Sequence, residues 1–156
     1  MEKGKAFPQF SLPDQNGVMR GPGDYAGKWL VVYFYPKDNT SGCTLEAKSF
    51  TDLAGQFADH DAVIVGVSPD SVKSHCGFIA KHGLGITLLS DPERALLEAA
   101  GAWQKKKLYG KEHMGVVRST ALVDPQGVVR EVWTKVKAAG HAEEVLARLR
   151  QLHGKT

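Results

Sequence analysis

The chain has 156 residues, of which 42% are hydrophobic and 24% are charged. These proportions are ordinary for a globular protein, and the length predicts one domain that spans residues 1–156. The formal net charge is +3, and the basic residues are scattered apart from the run 105–107, so binding to nucleic acid is disfavoured. Because no apolar segment is long enough for a membrane span or a secretory signal, we expect a cytoplasmic protein without membrane contacts.

Strand-like and helix-like segments alternate through the first half of the chain. Residues 10–25 predict an N-terminal β-hairpin extension. The continuous apolar run 29–35 predicts a strand that is covered on both faces, and 62–68 predicts a second one. Between them, apolar residues at helical spacing predict a helix over 44–59.

The second half continues the alternation and ends in a hairpin. A helix is predicted from an N-cap at Asp70 or Ser71 to a stop at Gly83, followed by a short strand over 86–91. A helix is predicted to open with Pro92. Segments 116–124 and 128–135 flank a turn and predict an antiparallel hairpin, and 141–152 predicts an amphipathic helix. This order predicts an α/β protein with a thioredoxin-like fold, in which helices flank a central mixed β-sheet.

The chain contains only two cysteines, Cys43 and Cys76. In a reducing compartment such cysteines are more often free or redox-active than structural. Cys43 follows the first central strand on a turn rich in Pro, Asn, Ser and Gly, where we expect it to be exposed. A helix is expected to begin near Cys43, so its unpaired N–H groups and its dipole would stabilise a thiolate. Position alone is equally compatible with an ordinary small turn residue.

The residues around Cys43 favour the reactive thiol. Pro36, Thr40 and Cys43 form the pattern P-x-x-x-T-x-x-C within "PKDNTSGC". This pattern resembles the active-site signature of the peroxiredoxins. The longer string "YFYPKDNTSGCTLEA" is similar to the peroxiredoxin Q group, also called bacterioferritin comigratory proteins. The segments "GVSPDSVKSH", "YGKEHMGVVRSTALVDPQG" and "WTKVKAAGHAEEVL" fit the same group, so the resemblance covers nearly the whole chain.

The resemblance implies that Cys43 is a peroxidatic cysteine. Its thiolate would attack hydrogen peroxide or an organic hydroperoxide and become a sulfenic acid, without a metal, haem or flavin. Thr40 would place a hydroxyl near the thiolate and the peroxide, and Pro36 would wall the pocket. The backbone N–H groups of Gly42 and Cys43 would donate further hydrogen bonds. Read individually, Thr40 is also compatible with a helix cap and Pro36 with a loop proline.

The resemblance also assigns roles to Arg118 and Glu46. In the family, the arginine at this motif position folds against the thiolate, where a fixed positive charge stabilises the anion and the transition state. Glu46 would position that arginine. Without the motif, Arg118 would be read as a surface residue, and Glu46 as a carboxylate that complements the helix dipole.

The second cysteine departs from the common family pattern. Many members carry a resolving cysteine five residues after the peroxidatic one, where this chain has Lys48, and many have proline in place of Ser41. The resemblance therefore implies a Cys43–Cys76 disulfide within one chain, while a buried helical cysteine at position 76 and a one-cysteine cycle remain alternatives. Two such helix positions are expected to lie too far apart to bond in the reduced chain.

The resemblance further implies that thioredoxin, or a similar dithiol protein, reduces the oxidised enzyme, which would be a monomer or a weak dimer. Other functions fit the sequence less well. A thioredoxin-type oxidoreductase needs C-x-x-C, and no histidine has a recognisable cysteine-hydrolase context. A zinc site from His75, Cys76 and His82 lacks the usual spacing. A non-catalytic thioredoxin-like module stays open, in which Cys43 would not react with peroxide.

Overall fold

The computed structural model describes residues 1–153, and for Leu108 the backbone alone. The last three residues of the predicted domain, 154–156, therefore lie outside the described residues. The strands are β1 (Leu12–Pro13), β2 (Met19–Arg20), β3 (Trp29–Phe34), β4 (Ala62–Ser68), β5 (Thr87–Ser90), β6 (Trp103–Leu108), β7 (Lys111–Val116), β8 (Ser119–Val123) and β9 (Val129–Trp133). The helices are α1 (Ser41–Ala58), α2 (Val72–His82), α3 (Ala95–Ala99) and α4 (His141–His153).

Five strands form the central sheet in the order β5-β4-β3-β8-β9. β3, β4 and β5 run parallel, whereas β8 pairs antiparallel with both β3 and β9. The short strands β1 and β2 pair antiparallel before the sheet begins. The mixed sheet, the flanking helices and the N-terminal hairpin confirm the predicted α/β fold.

The two faces of the sheet carry separate apolar clusters, and β3 contributes to both. Val31 and Tyr33 face the cluster that includes apolar residues of α1 and α4, while Val32 and Phe34 face the cluster that includes α3 and the N-terminal segment. Side chains of a strand alternate between faces, so a strand covered on both sides must be apolar at every position. This burial explains the unbroken run of apolar residues in β3.

The pairing of β3 with β8 brings distant parts of the chain together. Phe34, the last residue of β3, lies opposite Ser119, the first residue of β8. The segment that leaves β3 and the segment that enters β8 consequently meet at one edge of the sheet. These segments are 35–40, which leads into α1, and 117–118.

The structure differs from the sequence-based expectations in three places. The predicted helix at Pro92 begins only at Ala95, because Arg94 adopts a left-handed conformation with a φ of 64° that interrupts the helix. The predicted strand 116–124 begins at Ser119. The antiparallel hairpin β6–β7 was not predicted, and its turn at Tyr109 and Gly110 has φ values of 53° and 76°. Within residues 1–153, no helix combines the length and hydropathy needed to cross a bilayer.

The two glycines at positions 66 and 77 provide a test of core packing. A Cβ at Gly66 would lie 2.7 Å from Cζ of Tyr33 and 2.8 Å from Cδ2 of Leu88, whereas one at Gly77 would meet nothing within 4 Å. We expect Gly66→Ala to lower the free energy of unfolding by about 1–3 kcal/mol, because the buried ring must move.

The matched control is Gly77→Ala in the exposed middle of α2. This change should raise the free energy of unfolding by about 0.5–1 kcal/mol, because alanine favours the helix over glycine. Urea unfolding of the reduced proteins measures both effects. Equal effects of the two substitutions would contradict the packing described around Gly66.

Candidate active site

Cys43 is the third residue of α1, so its position in the first helical turn agrees with the sequence prediction. Its predicted exposure is wrong, because the residue is only 1% exposed. The sulfur belongs to the apolar cluster on the α1 face, together with Tyr33 and Tyr35 of the adjoining strand segment. The first turn of α1 is thus pressed onto the sheet, and the thiol is shielded from bulk water.

The beginning of α1 provides backbone donors next to this thiol. The N–H of Thr44 donates to the carbonyl of Thr40 over 2.9 Å, in the i to i−4 pattern of a helix. The N–H groups of Ser41, Gly42 and Cys43 precede that bond and have no carbonyl in the preceding turn to pair with. These N–H groups and the helix dipole favour negative charge at the Cys43 sulfur.

Arg118 is the charged side chain that reaches the sulfur. Its Nη2 lies 3.1 Å from Sγ of Cys43, and its Nη1 donates to Oε1 of Glu46 over 2.5 Å. The guanidinium is 16% exposed and the glutamate is fully buried. One planar cation therefore bridges two acceptors from the same helix, so Arg118 and Glu46 are brought together with Cys43 as the sequence predicted.

Glu46 is an unusual partner because its carboxyl group is buried. Burial raises the pKa of this carboxyl to about 7, even though the charge and hydrogen bond of Arg118 act in the opposite direction. Its second oxygen, Oε2, has no hydrogen-bond partner among the described residues. The buried carboxylate of Glu46 is therefore stabilised by a single guanidinium. The bond between them in turn fixes the orientation of Arg118.

Gly42 leaves room for the arginine. A Cβ on this residue would lie 3.3 Å from Nη2 of Arg118, closer than most real contacts of a Cβ. A larger residue would push against the same nitrogen that touches Cys43. The absence of a side chain at Gly42 thus allows the guanidinium of Arg118 to pack closely against the beginning of α1.

Pro36 and Thr40 lie on the segment between β3 and α1. Pro36 is half-buried and lines a cleft together with Arg118. Thr40 is exposed at the N-cap of α1, and its hydroxyl donates to the carbonyl of Lys37 over 2.9 Å. This bond uses the hydroxyl proton within the turn, so the predicted contact of Thr40 with the thiolate or a peroxide stays a prediction.

The cleft beside Arg118 contains residues that the sequence did not indicate as part of a site. It has a volume of about 570 Å³, and its further lining comes from the β6–β7 hairpin and from the segment after β9. The lysines of this lining are Lys105, Lys106, Lys107 and Lys135. In the sequence alone, the run 105–107 bears only on nucleic-acid binding, which it does not favour. A turn at Tyr109 and Gly110 between two short segments was the available signal for a hairpin.

Cys76 lies in the middle of α2 and is exposed. The alternative of a buried helical cysteine at this position is therefore wrong. The two cysteines are both free in this conformation. The zinc alternative loses His75, because this buried ring has Asp38 at Nδ1 and the Leu89 carbonyl at Nε2. Cys76 is thus a solvent-accessible thiol beside a histidine that belongs to the core.

Comparison with known proteins gives concordant matches over most of the chain. The model of the AhpC/TSA family matches residues 3–132. Peroxiredoxin Bcp of Bacillus subtilis is 46% identical over 155 residues, which cover 99% of each chain. The structure of the Xanthomonas campestris bacterioferritin comigratory protein, described with its alkyl peroxide reduction activity, has a TM-score of 0.89 at 45% identity and 92% coverage of both chains. A PrxQ structure from Xylella fastidiosa has a TM-score of 0.92 at 39% identity, covering 97% of this chain and 96% of that one.

The buried carboxyl of Glu46 predicts a specific pH dependence of stability. Its pKa is higher in the folded chain than in the unfolded chain, so the folded state is favoured at low pH and loses that advantage as the pH rises toward 7. Glu46→Gln removes the titrating group and keeps an oxygen for Arg118. Relative to the wild type, the variant should gain on the order of 3 kcal/mol in free energy of unfolding between about pH 4 and pH 8.

Urea unfolding across this range measures the difference, and Glu98→Gln at an exposed helical position serves as the control. A difference between Glu46→Gln and the wild type that stays constant with pH would show that Glu46 is not the titrating group.

Proposed function

We propose that this chain, which belongs to the AhpC/TSA family and is a peroxidase of the Bcp/peroxiredoxin Q type, reduces hydrogen peroxide and alkyl hydroperoxides with Cys43 as the attacking thiolate. The observation that carries the proposal is the 3.1 Å contact between Nη2 of Arg118 and Sγ of Cys43 at the beginning of α1. A guanidinium and a helix N-terminus both stabilise the anion that the reaction needs.

The first step transfers one oxygen to sulfur. The Cys43 thiolate attacks the terminal peroxide oxygen, the S–O bond forms and the O–O bond breaks. The leaving oxygen takes a proton and departs as water or as an alcohol, which leaves a sulfenic acid on Cys43. Negative charge moves from sulfur to the leaving oxygen during this step, so donors that follow the charge lower the barrier.

Arg118 is placed to stabilise that moving charge. Its guanidinium carries five N–H donors in a fixed plane, and the bonds to Glu46 and Cys43 leave others for a peroxide oxygen. We assign Glu46 the role of holding this plane against the sulfur, and Pro36 the role of an inert wall of the cleft. Thr40 would contribute through the oxygen of its hydroxyl, and would donate to a peroxide after leaving Lys37.

The cleft supports organic as well as inorganic peroxides. Pro36, Val116, Val117 and Val136 give it an apolar part next to Arg118. An alkyl group could lie against these side chains while the peroxide end contacts Arg118, whose Nη2 lies beside the Cys43 sulfur. Alkyl peroxide reduction is the activity with which the similar Xanthomonas protein is described.

We further propose that Cys76 resolves the sulfenic acid. The Cys76 sulfur would attack the Cys43 sulfur, form the disulfide and release the hydroxyl group as water after protonation. The exposure of Cys76 supports this role, because an attacking thiol must be able to reach its partner. Thioredoxin or a similar dithiol protein would then reduce the disulfide. Since both cysteines belong to one chain, a monomer or a weak dimer could complete the cycle.

Replacing each cysteine separates the two steps. Cys43→Ser should abolish peroxide turnover, because the attacking sulfur is gone. Cys76→Ser should still form a sulfenic acid after one equivalent of peroxide, but no disulfide within the chain. Intact mass and non-reducing peptide mapping measure both products. Full turnover by Cys43→Ser would end the peroxidase assignment of this site, and a stable sulfenic acid in the wild type would indicate a one-cysteine cycle.

Removing the donors should slow the first step without unfolding the chain. Arg118→Ala should lower the rate of sulfenic acid formation roughly a hundred- to a thousand-fold, since a donor to developing charge is lost. Thr40→Val should act in the same direction. Stopped-flow oxidation measures the rate, and Arg130→Ala is the control because Arg130 pairs with Asp124 and packs over Trp29. Sulfenic acid formation at the wild-type rate in Arg118→Ala would contradict the proposed catalytic role of Arg118.

A further inference from the structure

A second buried pair of an acidic and a basic side chain lies at the segment that leads to Cys43. Oδ2 of Asp38 lies 2.7 Å from Nδ1 of His75, and both side chains are almost completely buried. Asp38 precedes Cys43 by five residues, and His75 directly precedes Cys76. The pair therefore joins the loop before one cysteine to the helix that carries the other.

The hydrogen-bond pattern assigns the protons of this pair. Nε2 of His75 lies 2.9 Å from the carbonyl of Leu89, which can only accept, so this nitrogen carries a proton. The Asp38 carboxyl accepts from Tyr35 Oη over 2.6 Å and from Ser74 Oγ over 2.8 Å. Burial raises the pKa of Asp38, but hydrogen bonds from His75 and Tyr35 outweigh it and lower the pKa, so the group is a carboxylate. Nδ1 of His75 consequently donates to it.

The backbone of the loop is also bound next to the N-terminus of α2, at Asp70. The N–H of Asp38 donates to Oδ2 of Asp70 over 2.8 Å, and Ser68 Oγ donates to the same oxygen over 2.7 Å. Asp38, Asp70 and His75 approach each other as closely as metal ligands would. However, the ligand atoms involved already have hydrogen-bond partners in the chain, so the network accounts for their closeness.

We propose that the Asp38–His75 pair is a latch that holds the Cys43 loop and the Cys76 helix in the reduced arrangement, which makes His75 and Ser74 positioning residues for the resolving step. This inference rests on the proposed resolving role of Cys76. Ser74 and His75 are consecutive residues of α2, and both bind the same carboxylate of the loop. The latch thereby sets how often the two cysteine-bearing segments separate.

We expect the resolving step to require movement of these segments, because one cysteine is buried and the other is exposed. A disulfide needs Cα atoms about 4.4–6.8 Å apart and sulfurs in contact. Cys43 is 1% exposed within the first turn of α1, whereas Cys76 is exposed to solvent. If α2 unwinds around Cys76, His75 must leave both Asp38 and Leu89. When the open form is a minor species, the rate of disulfide formation follows its population, so a weaker latch speeds resolution.

The test uses two variants of the latch and one control. His75→Gln breaks the ion pair, Ser74→Ala removes one hydrogen bond to Asp38, and His82→Gln changes a histidine at the other end of α2 that contacts Phe78. After rapid mixing with peroxide, quenched samples are analysed by mass for sulfenic acid and disulfide. Sulfinic acid is measured separately at excess peroxide.

Sulfenic acid formation should match the wild type in all three variants, because Cys43, Arg118 and Glu46 are unchanged. Disulfide formation should accelerate at least about tenfold in His75→Gln and less in Ser74→Ala, while His82→Gln stays at the wild-type rate. Sulfinic acid should decrease in the same order, since faster resolution leaves less sulfenic acid for a second peroxide. A purely structural role of His75 would change stability without changing this partition.

The outcomes that overturn the latch are distinct from those that overturn the resolving role. If the wild type forms no Cys43–Cys76 disulfide, both inferences are wrong. If the disulfide forms equally fast in the wild type and in both latch variants, only the latch is wrong. Should His75→Gln fail to fold, an unchanged disulfide rate in Ser74→Ala overturns the proposal by itself.

Discussion

The guanidinium of Arg118 can meet the Cys43 sulfur only because β3 and β8 pair in one particular register. Phe34 lies opposite Ser119, so the residue before β8 arrives beside the segment that follows β3. A slip by one residue would turn the side chains of β8 to the opposite faces of the sheet. The geometry of the site, including the bridge to Glu46, thus depends on backbone hydrogen bonds in the buried sheet.

Two buried ion pairs hold the segment between β3 and α1 from opposite ends. Arg118 and Glu46 fix the helix at the Cys43 end, and His75 and Asp38 fix the loop near its beginning. Buried ion pairs are costly to form, and removing one partner leaves an uncompensated charge. Positioning this short segment therefore lowers the stability that the chain could otherwise reach. The two pairs act on different steps of the proposed cycle.

The sequence was sufficient for the parts of the fold that depend on local pattern. The apolar runs at β3 and β4, the capped helix ending at Gly83 and the final hairpin β8–β9 were all predicted. The resemblance to the peroxiredoxins likewise indicated Arg118, in "VVRST", and Glu46, in "CTLE", and the structure brings these two residues together. Features that depend on packing between distant segments could not be predicted from the sequence. The burial of Cys43 depends on how α1 rests on the sheet, and Arg94 breaks its helix through a left-handed conformation that its residue type does not predict.

The β6–β7 hairpin was missed for a physical reason. Its first strand, with three consecutive lysines, lacks the alternation of a half-buried strand, and it pairs only with its neighbour outside the main sheet. Strand pairing of this kind leaves little trace in hydrophobic periodicity. The sequence therefore contained no sign that the run 105–107 lines a cleft.

The separation of Arg118 from Cys43 in the sequence, 75 positions, has a consequence for the newly made protein. Synthesis proceeds from the N-terminus, so the thiol leaves the ribosome well before its arginine and before β8 can dock against β3. Until that pairing forms, the cysteine lacks the guanidinium that lies beside it in the folded chain. Under the proposed role of Arg118, the polypeptide would acquire its reactivity toward oxidants only at a late stage of folding, and immature chains would carry a less sensitive sulfur.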